Sequence, residues 1–169
     1  RPGLYLVGVE PNRVMAQTAA QWYDQVISCP VEEADLSAGF DLINCGDLME
    51  HLRNPWGTLH RFRALLREGG YLVLSIPNAG HWTVVRDLLQ GKFQYVPLGI
   101  QCIGHLRWFT ESSILQALSC AGFRVDRMGR QQLAPTPQGE RFIQDMKDLG
   151  RGDEASLRTN ELTIRAVKE

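Results

Sequence analysis

Apolar and polar positions fall into blocks along this chain, with short apolar runs separated by stretches in which apolar residues recur every three or four positions. Residues 4–10, Leu4-Tyr5-Leu6-Val7-Gly8-Val9-Glu10, form the first run between Gly3 and Pro11 and read as a parallel strand buried on both faces. A parallel strand needs a crossover, and residues 12–25 supply a helix with Asn12 as N-cap and Met15, Ala19, Trp22 and Val26 along one face. A short strand around Val26-Ile27-Ser28 ends at Cys29-Pro30. Residues 40–45 read as the next buried strand. Pro55 then opens a helix that turns Leu59, Phe62, Leu65 and Leu66 to the sheet, and Gly69-Gly70 stops it. Tyr71-Leu72-Val73-Leu74-Ser75-Ile76-Pro77 is a third strong strand. The alternation of strand and helix predicts a three-layer α/β architecture.

Between residues 78 and 110 the periodicity breaks. A helix with Trp82, Val85, Leu88 and Leu89 inward is followed by an irregular stretch holding Phe93, Tyr95, Pro97, Ile100, Cys102, Ile103 and Gly104. So many apolar and aromatic residues without a period predict a lid over residues 79–109, not a solvated linker. Thr110 caps a helix that carries Ile114, Leu115 and Leu118 inward through Ala121, and Gly122 ends it. A strand over residues 123–128, one helix around Phe142, Ile143 and Met146, and a closing strand over residues 162–167 complete the pattern. There is no internal repeat.

Composition narrows the class. With 169 residues, 44% of them hydrophobic, the chain suffices for one domain with a real core, so residues 1–169 read as a single domain. Eighteen basic and 19 acidic residues give no general attraction to nucleic acid or to an anionic membrane. Cys29, Cys45, Cys102 and Cys120 are too scattered for a zinc knuckle or a disulfide framework and suit a reducing cytoplasm. No apolar run approaches the roughly 20 residues of a membrane span. The opening Arg1-Pro2-Gly3, without a signal-peptide core or an initiating Met, leads to the expectation of a soluble, cytoplasmic piece of a longer protein.

The chemistry-bearing positions begin with Glu10. Ligands of open α/β sheets bind at strand C-terminal ends, where its carboxylate is able to accept hydrogen bonds from both hydroxyls of a ribose. The plainer alternative is a solvated acid favoured by the following helix N-terminus. Further on, Phe40-Asp41-Leu42-Ile43 precedes Cys45-Gly46-Asp47-Leu48-Met49-Glu50-His51-Leu52, and Gly69-Gly70 and Ala121-Gly122-Phe123 each stand before a strand. Taken together, these blocks resemble the class I S-adenosylmethionine (SAM)-dependent methyltransferases of the small-molecule type, over nearly the whole chain.

The resemblance implies a three-layer Rossmann-like methyltransferase sheet, mostly parallel with an antiparallel C-terminal strand, and SAM as cofactor. It implies Glu10, with Pro11 beside it, at the ribose, the Val31 backbone near adenine, Cys45 and Gly46 along the sulfonium arm, and His51 or His105 near a small-molecule methyl acceptor. Neither a nucleic-acid nor a membrane partner is implied. Cys29-Pro30-Val31 stands where the family usually has Gly-Asp-Ala. The family's central first strand and its G-x-G-x-G turn have no counterpart. The expectation is an omitted or removed N-terminal segment, weak or undetectable SAM binding by this chain, and the strands of residues 4–10 and 40–45 parallel in one sheet with the position between them open or filled from elsewhere.

Asp47, Glu50, His51 and His105 also resemble the magnesium site of ubiquinone-pathway O-methyltransferases and small-RNA 2′-O-methyltransferases, where the first position is normally Glu. The expectation is that no metal is bound and that His51 is a pocket-wall residue. A His beside a Trp, as His81 beside Trp82, is more often a packed lid residue than a base. The aromatic lid favours a small or partly apolar acceptor, with Arg86, Lys92 and Arg107 available for an anionic group. The alternative from another class is a non-catalytic methyltransferase-like interaction scaffold. An NAD-binding dehydrogenase shares the strand-end acid but not the Glu50-His51 block or the late Gly-Phe strand.

Overall fold

The computed structural model describes residues 3–169, and the chain divides into two compact units, Arg1–Ser37 and Ala38–Glu169. In the first unit, β1 (Val7–Val9) and β2 (Gln25–Ile27) run parallel, with Gly8 opposite Val26. Helix α1 (Arg13–Ala19) makes the crossover, and Asn12 caps it by accepting from the N–H groups of Val14 and Met15 at 3.0 and 3.2 Å. The helix is half the expected length, and of its residues only Ala16 is buried. Met15 and Trp22, placed inward by the 3–4 spacing, are exposed, Trp22 by 63%. β1 is half-buried instead of covered on both faces, because a two-stranded ladder with one short helix has little apolar surface to lay over it.

The second unit holds a four-stranded sheet in the order β3-β4-β6-β5, built from β3 (Phe40–Gly46), β4 (Leu66–Pro77), β5 (Phe123–Gln132) and β6 (Thr159–Lys168). β3 and β4 are parallel, and β6 lies antiparallel between β4 and β5. This is the expected Rossmann-like architecture, three strands in one direction with an antiparallel C-terminal strand. The ladders form two sheets where the sequence reading expects one, and no strand among the described residues pairs with both β1 and β3.

The core of this unit sits on alternate positions of the two central strands. Leu72, Leu74 and Ile76 from β4 and Leu162, Ile164 and Ala166 from β6 are fully or almost fully buried, the two-residue period of a strand with a covered face. Leu59, Phe62 and Leu65 of α2 (Pro55–Leu65) and Ile114 and Leu118 of α4 (Glu111–Cys120) are buried as the helical spacing predicts. Helix α3 (Trp82–Leu89) departs from expectation: Trp82 and Val84 are buried, whereas Leu88 and Leu89 face solvent. Its partner is a satellite cluster of Trp82, Ile143 and Leu157, which draws only the N-terminal turn inward. The C-terminal polar segment forms two helices, α5 (Pro137–Asp148) and α6 (Glu154–Arg158), where one is expected, because Gly150 and Gly152 at φ of 62° and 79° break it. β4 begins immediately after α2, so Gly69-Gly70 lies inside the strand instead of ending the helix. Among the described residues no helix is long and apolar enough to cross a membrane.

Gly122, between α4 and β5, has φ of 80°, and a Cβ built there meets Arg63 Nε at 2.6 Å. The same Nε–H donates to the Gly122 carbonyl at 3.2 Å. Gly122→Ala is expected to destabilise the protein by about 1–2 kcal/mol, the range for a left-handed non-glycine residue. An unchanged urea midpoint would show that Arg63 and the turn relax freely.

Candidate functional site

The C-terminal end of β3 delivers Cys45, Gly46 and Asp47 to one edge of the second unit. Asp47 is the sole non-glycine residue of positive φ among the described residues, at 47°. Ser75 on β4 holds it there: the Asp47 N–H donates to the Ser75 carbonyl and hydroxyl at 3.2 and 3.1 Å, and the hydroxyl donates to Asp47 Oδ1 at 3.0 Å. A Cβ at Gly46 would stand 3.3 Å from the same hydroxyl, so the small residue keeps this clasp closed. The Cys45 thiol is buried toward the Val73 carbonyl, and burial pushes its pKa up to about 12. Cys45 is therefore no nucleophile, and only its backbone is available to a ligand.

One turn later, a 3₁₀ segment (Met49–His51) presents Glu50 and His51. The N–H groups of Leu106 and Arg107 donate to the Glu50 carbonyl at 2.8 and 3.1 Å, which ties the predicted lid to this turn and brings His105 alongside. The His51 and His105 rings meet edge to face with centroids 4.9 Å apart. His51 Nδ1 lies 2.9 Å from the Gly104 carbonyl and His105 Nδ1 lies 3.0 Å from that of Ile100. A carbonyl only accepts, so each Nδ1 carries the proton, and in the neutral rings both Nε2 atoms are left with a lone pair.

Burial, with the His51 charge acting in the same direction, pulls the His105 pKa below the usual imidazole range, against the Ile100 hydrogen bond and Asp47. Glu50 is 2% exposed, and neither of its carboxylate oxygens has a hydrogen-bond partner. Desolvation is the main reason its pKa is pushed up to about 7; the nearness of its own backbone N–H and the His51 charge oppose the rise, and Asp47 and Glu161 add to it.

Asp47, Glu50, His51 and His105 line a cavity of about 240 Å³ with Asn160 and Glu161 at the start of β6. Burial and Asp47 raise the pKa of Glu161 as well. Asn160 Oδ1 is a further buried acceptor without a partner. The three cations proposed for an anionic acceptor are occupied elsewhere. Arg86 pairs with Asp87 at 2.7 Å, Lys92 donates to Gln90, and Arg107 donates to the carbonyls of Leu106 and Arg53. His81 caps α3 beside Trp82, bonded to the Thr83 hydroxyl and outside the cavity lining.

Glu50, His51 and His105 each offer one ligand atom, all within 4.8 Å of one another. Of this group only Glu50 supplies an oxygen, the ligand type that magnesium prefers. Asp47, the remaining member of the expected magnesium set, is engaged with Ser75 and outside that group.

In the first unit Glu10 follows β1, and its Oε1 accepts from the Asn12 N–H at 2.8 Å, so the second oxygen retains acceptor capacity toward a ribose. The donor and acceptor chemistry of a nucleoside diol fits there. Pro11 is exposed beside it, and Val31 starts a turn over residues 31–33. The concave face of this unit, about 330 Å³ between α1 and β2, is lined by Arg13, Ala16, Val26 and Ser28 among others, and not by Glu10, Pro11 or Val31.

A family model described as a methyltransferase domain matches residues 3–127. The chain belongs to the methyltransferase domain family.

Solved structures share the fold of this methyltransferase domain. A SAM-dependent methyltransferase of Thermotoga maritima is 19% identical with a TM-score of 0.66, over 97% of this chain and 73% of the other. A SAM-dependent methyltransferase of Archaeoglobus fulgidus is 16% identical with a TM-score of 0.62, over 96% and 75%. Magnesium protoporphyrin IX methyltransferase of Synechocystis, solved with S-adenosylhomocysteine, is 16% identical with a TM-score of 0.63, over 99% and 65%. No curated protein matches by sequence.

Within the methyltransferase domain, the structure brings His51 and His105 together as the sequence reading anticipates. It adds Asn160, Glu161 and Ser75, which that reading leaves out. The one local signal for the first two is a pair of polar residues just ahead of the alternating apolar positions of β6.

Proposed function

We propose that this protein is a SAM-dependent methyltransferase of a small-molecule acceptor, and that the acceptor occupies the cavity beside His51 and His105. The family match over residues 3–127 supports the reaction class, and the single observation that supports the acceptor position is the pair of Nε2 lone pairs oriented by the Gly104 and Ile100 carbonyls. On this reading Glu10, with Pro11 beside it, takes the ribose, the Val31 backbone the adenine, and the Cys45 and Gly46 backbone the aminoacyl arm. When bound, SAM supplies a methyl group already activated on a sulfonium. The protein then contributes orientation and exclusion of water, together with a base where the acceptor must lose a proton. His105 suits that last task, since burial favours its neutral form and the Ile100 carbonyl, by holding the Nδ1 proton, leaves Nε2 to accept.

Titration calorimetry with SAM tests the cofactor assignment. The chain contains no G-x-G-x-G turn to hold the methionine arm, so the expected dissociation constant is weaker than about 10 μM, less than about 7 kcal/mol of binding. In a chain to which a strand and G-x-G-x-G turn are added ahead of residue 4, Glu10→Ala should weaken SAM binding by about 1.5–3 kcal/mol, the range for hydrogen bonds to a charged group, with stability unchanged. Equal affinity in the variant would remove Glu10 from the site. No binding at millimolar SAM by the chain carrying the added turn would favour the interaction-scaffold reading.

A further inference from the structure

The cavity beside the two histidines is an unusual container. Its lining carries three carboxylates, Asp47, Glu50 and Glu161, and no Lys or Arg among the described residues. Glu50, almost wholly buried, is part of that lining and has two partnerless carboxylate oxygens, and Asn160 Oδ1 is a third buried acceptor lacking a donor. Both imidazoles spend their N–H groups on the Gly104 and Ile100 carbonyls, so in the neutral state their Nε2 atoms are acceptors too. Buried acceptors without donors are rare in folded proteins because each forfeits its hydration with nothing in return. The missing complement is therefore a group that brings several N–H donors and positive charge.

We infer that the cavity selects an acceptor bearing an amino group, whose N–H donors go to Glu50 and Asn160 and whose positive charge is balanced by Asp47, Glu50 and Glu161. This deepens the methyl-acceptor reading of the cavity and rests on it. An anionic acceptor is disfavoured, since Arg86, Lys92 and Arg107 are all committed elsewhere. A volume of about 240 Å³ lies below the 300–1,000 Å³ of drug-sized sites, so the amine is small. A magnesium ion would find a single carboxylate in the Glu50, His51 and His105 group, since Asp47 is held by Ser75, and an alcohol would supply one donor against at least three orphaned acceptors.

The test uses the full chain without SAM. Phenethylamine, a cation at neutral pH, is compared by calorimetry with 2-phenylethanol, which has the same shape and no charge, at about pH 8 where Glu50 is ionised. The amine is expected to bind at least about tenfold more tightly, the effect of a charge-assisted hydrogen bond, and Glu50→Gln should abolish that preference. Glu161→Gln, at the less buried wall, should reduce it by about threefold and serves where Glu50→Gln does not fold. Equal binding of the two probes, a preference that survives both substitutions, or no binding of either at about 10 mM overturns the inference. So does saturation by micromolar zinc or magnesium chloride that displaces the amine, which would make the cavity a metal site. Because SAM is absent, this experiment can fail while the Glu10 dependence of SAM binding stands, and the reverse holds equally.

Discussion

Glu50→Gln is expected to stabilise the ligand-free protein by about 3 kcal/mol at pH 8 and to leave it unchanged at pH 4. Below pH 4.5 the carboxyl is protonated in the folded and unfolded chains alike and contributes nothing. Between 4.5 and about 7 the unfolded chain releases the proton while the folded protein, in which burial holds the pKa at about 7, retains it. The unfolded state thus gains with rising pH, and the loss is complete above about 7. At 1.36 kcal/mol per pKa unit, the interval from 4.5 to about 7 amounts to about 3 kcal/mol. Glutamine has the same shape and does not ionise, so it escapes the loss. Urea unfolding of both proteins at the two pH values measures the difference, in which titrating groups remote from Glu50 cancel. A gain of equal size at pH 4 and pH 8, or a loss at pH 8, would show that desolvation does not govern Glu50. A residue that weakens its own fold at working pH is the mark of a group kept for a ligand, since the ligand is what offsets the buried charge.

Asn78→Ala is expected to destabilise the protein by about 3 kcal/mol or more. Asn78 is wholly buried where β4 ends. Its Nδ2 donates to the carbonyls of Ser156 and Thr159 at 2.9 and 2.8 Å, and its Oδ1 accepts from the Gly80 N–H at 2.9 Å. Alanine strands the Thr159 carbonyl and the Gly80 N–H, each worth about 1–3 kcal/mol when buried without a partner, and leaves the Ser156 carbonyl with the Thr159 N–H alone. The residue also joins the end of β4 to the turn from α6 into β6, the turn that carries Asn160 and Glu161 to the cavity, and its own N–H donates to the Asn160 carbonyl at 2.9 Å. Denaturant titration reads the loss directly. A change below about 1 kcal/mol would mean that water replaces the amide and that the junction does not depend on it.

Much of the architecture is legible in local pattern. The caps at Asn12 and Thr110, the two-residue period of Leu72, Leu74 and Ile76, and the Gly122 turn each act within a few residues of themselves, and each is found where the spacing predicts. The failures have a common origin. Met15, Leu88 and Leu89 sit on regular apolar spacings and still face solvent, because a period marks which residues share a face and is silent on whether anything packs against it.

Local pattern alone carries the order of the strands and of the helices up to α5, the methyltransferase resemblance of residues 40–52, and the candidacy of Glu10, His51 and His105. What the histidines hold and face is set by packing between distant segments. The carbonyl that orients His51 is 53 residues away, and Asn160 and Glu161 reach the Glu50 cavity because β6 inserts antiparallel between β4 and β5. The partnerless burial of Glu50 belongs to the same level. Desolvation depends on everything that packs around a side chain, and for Glu50 that includes segments from positions 47, 105 and 161, which no window along the chain brings together.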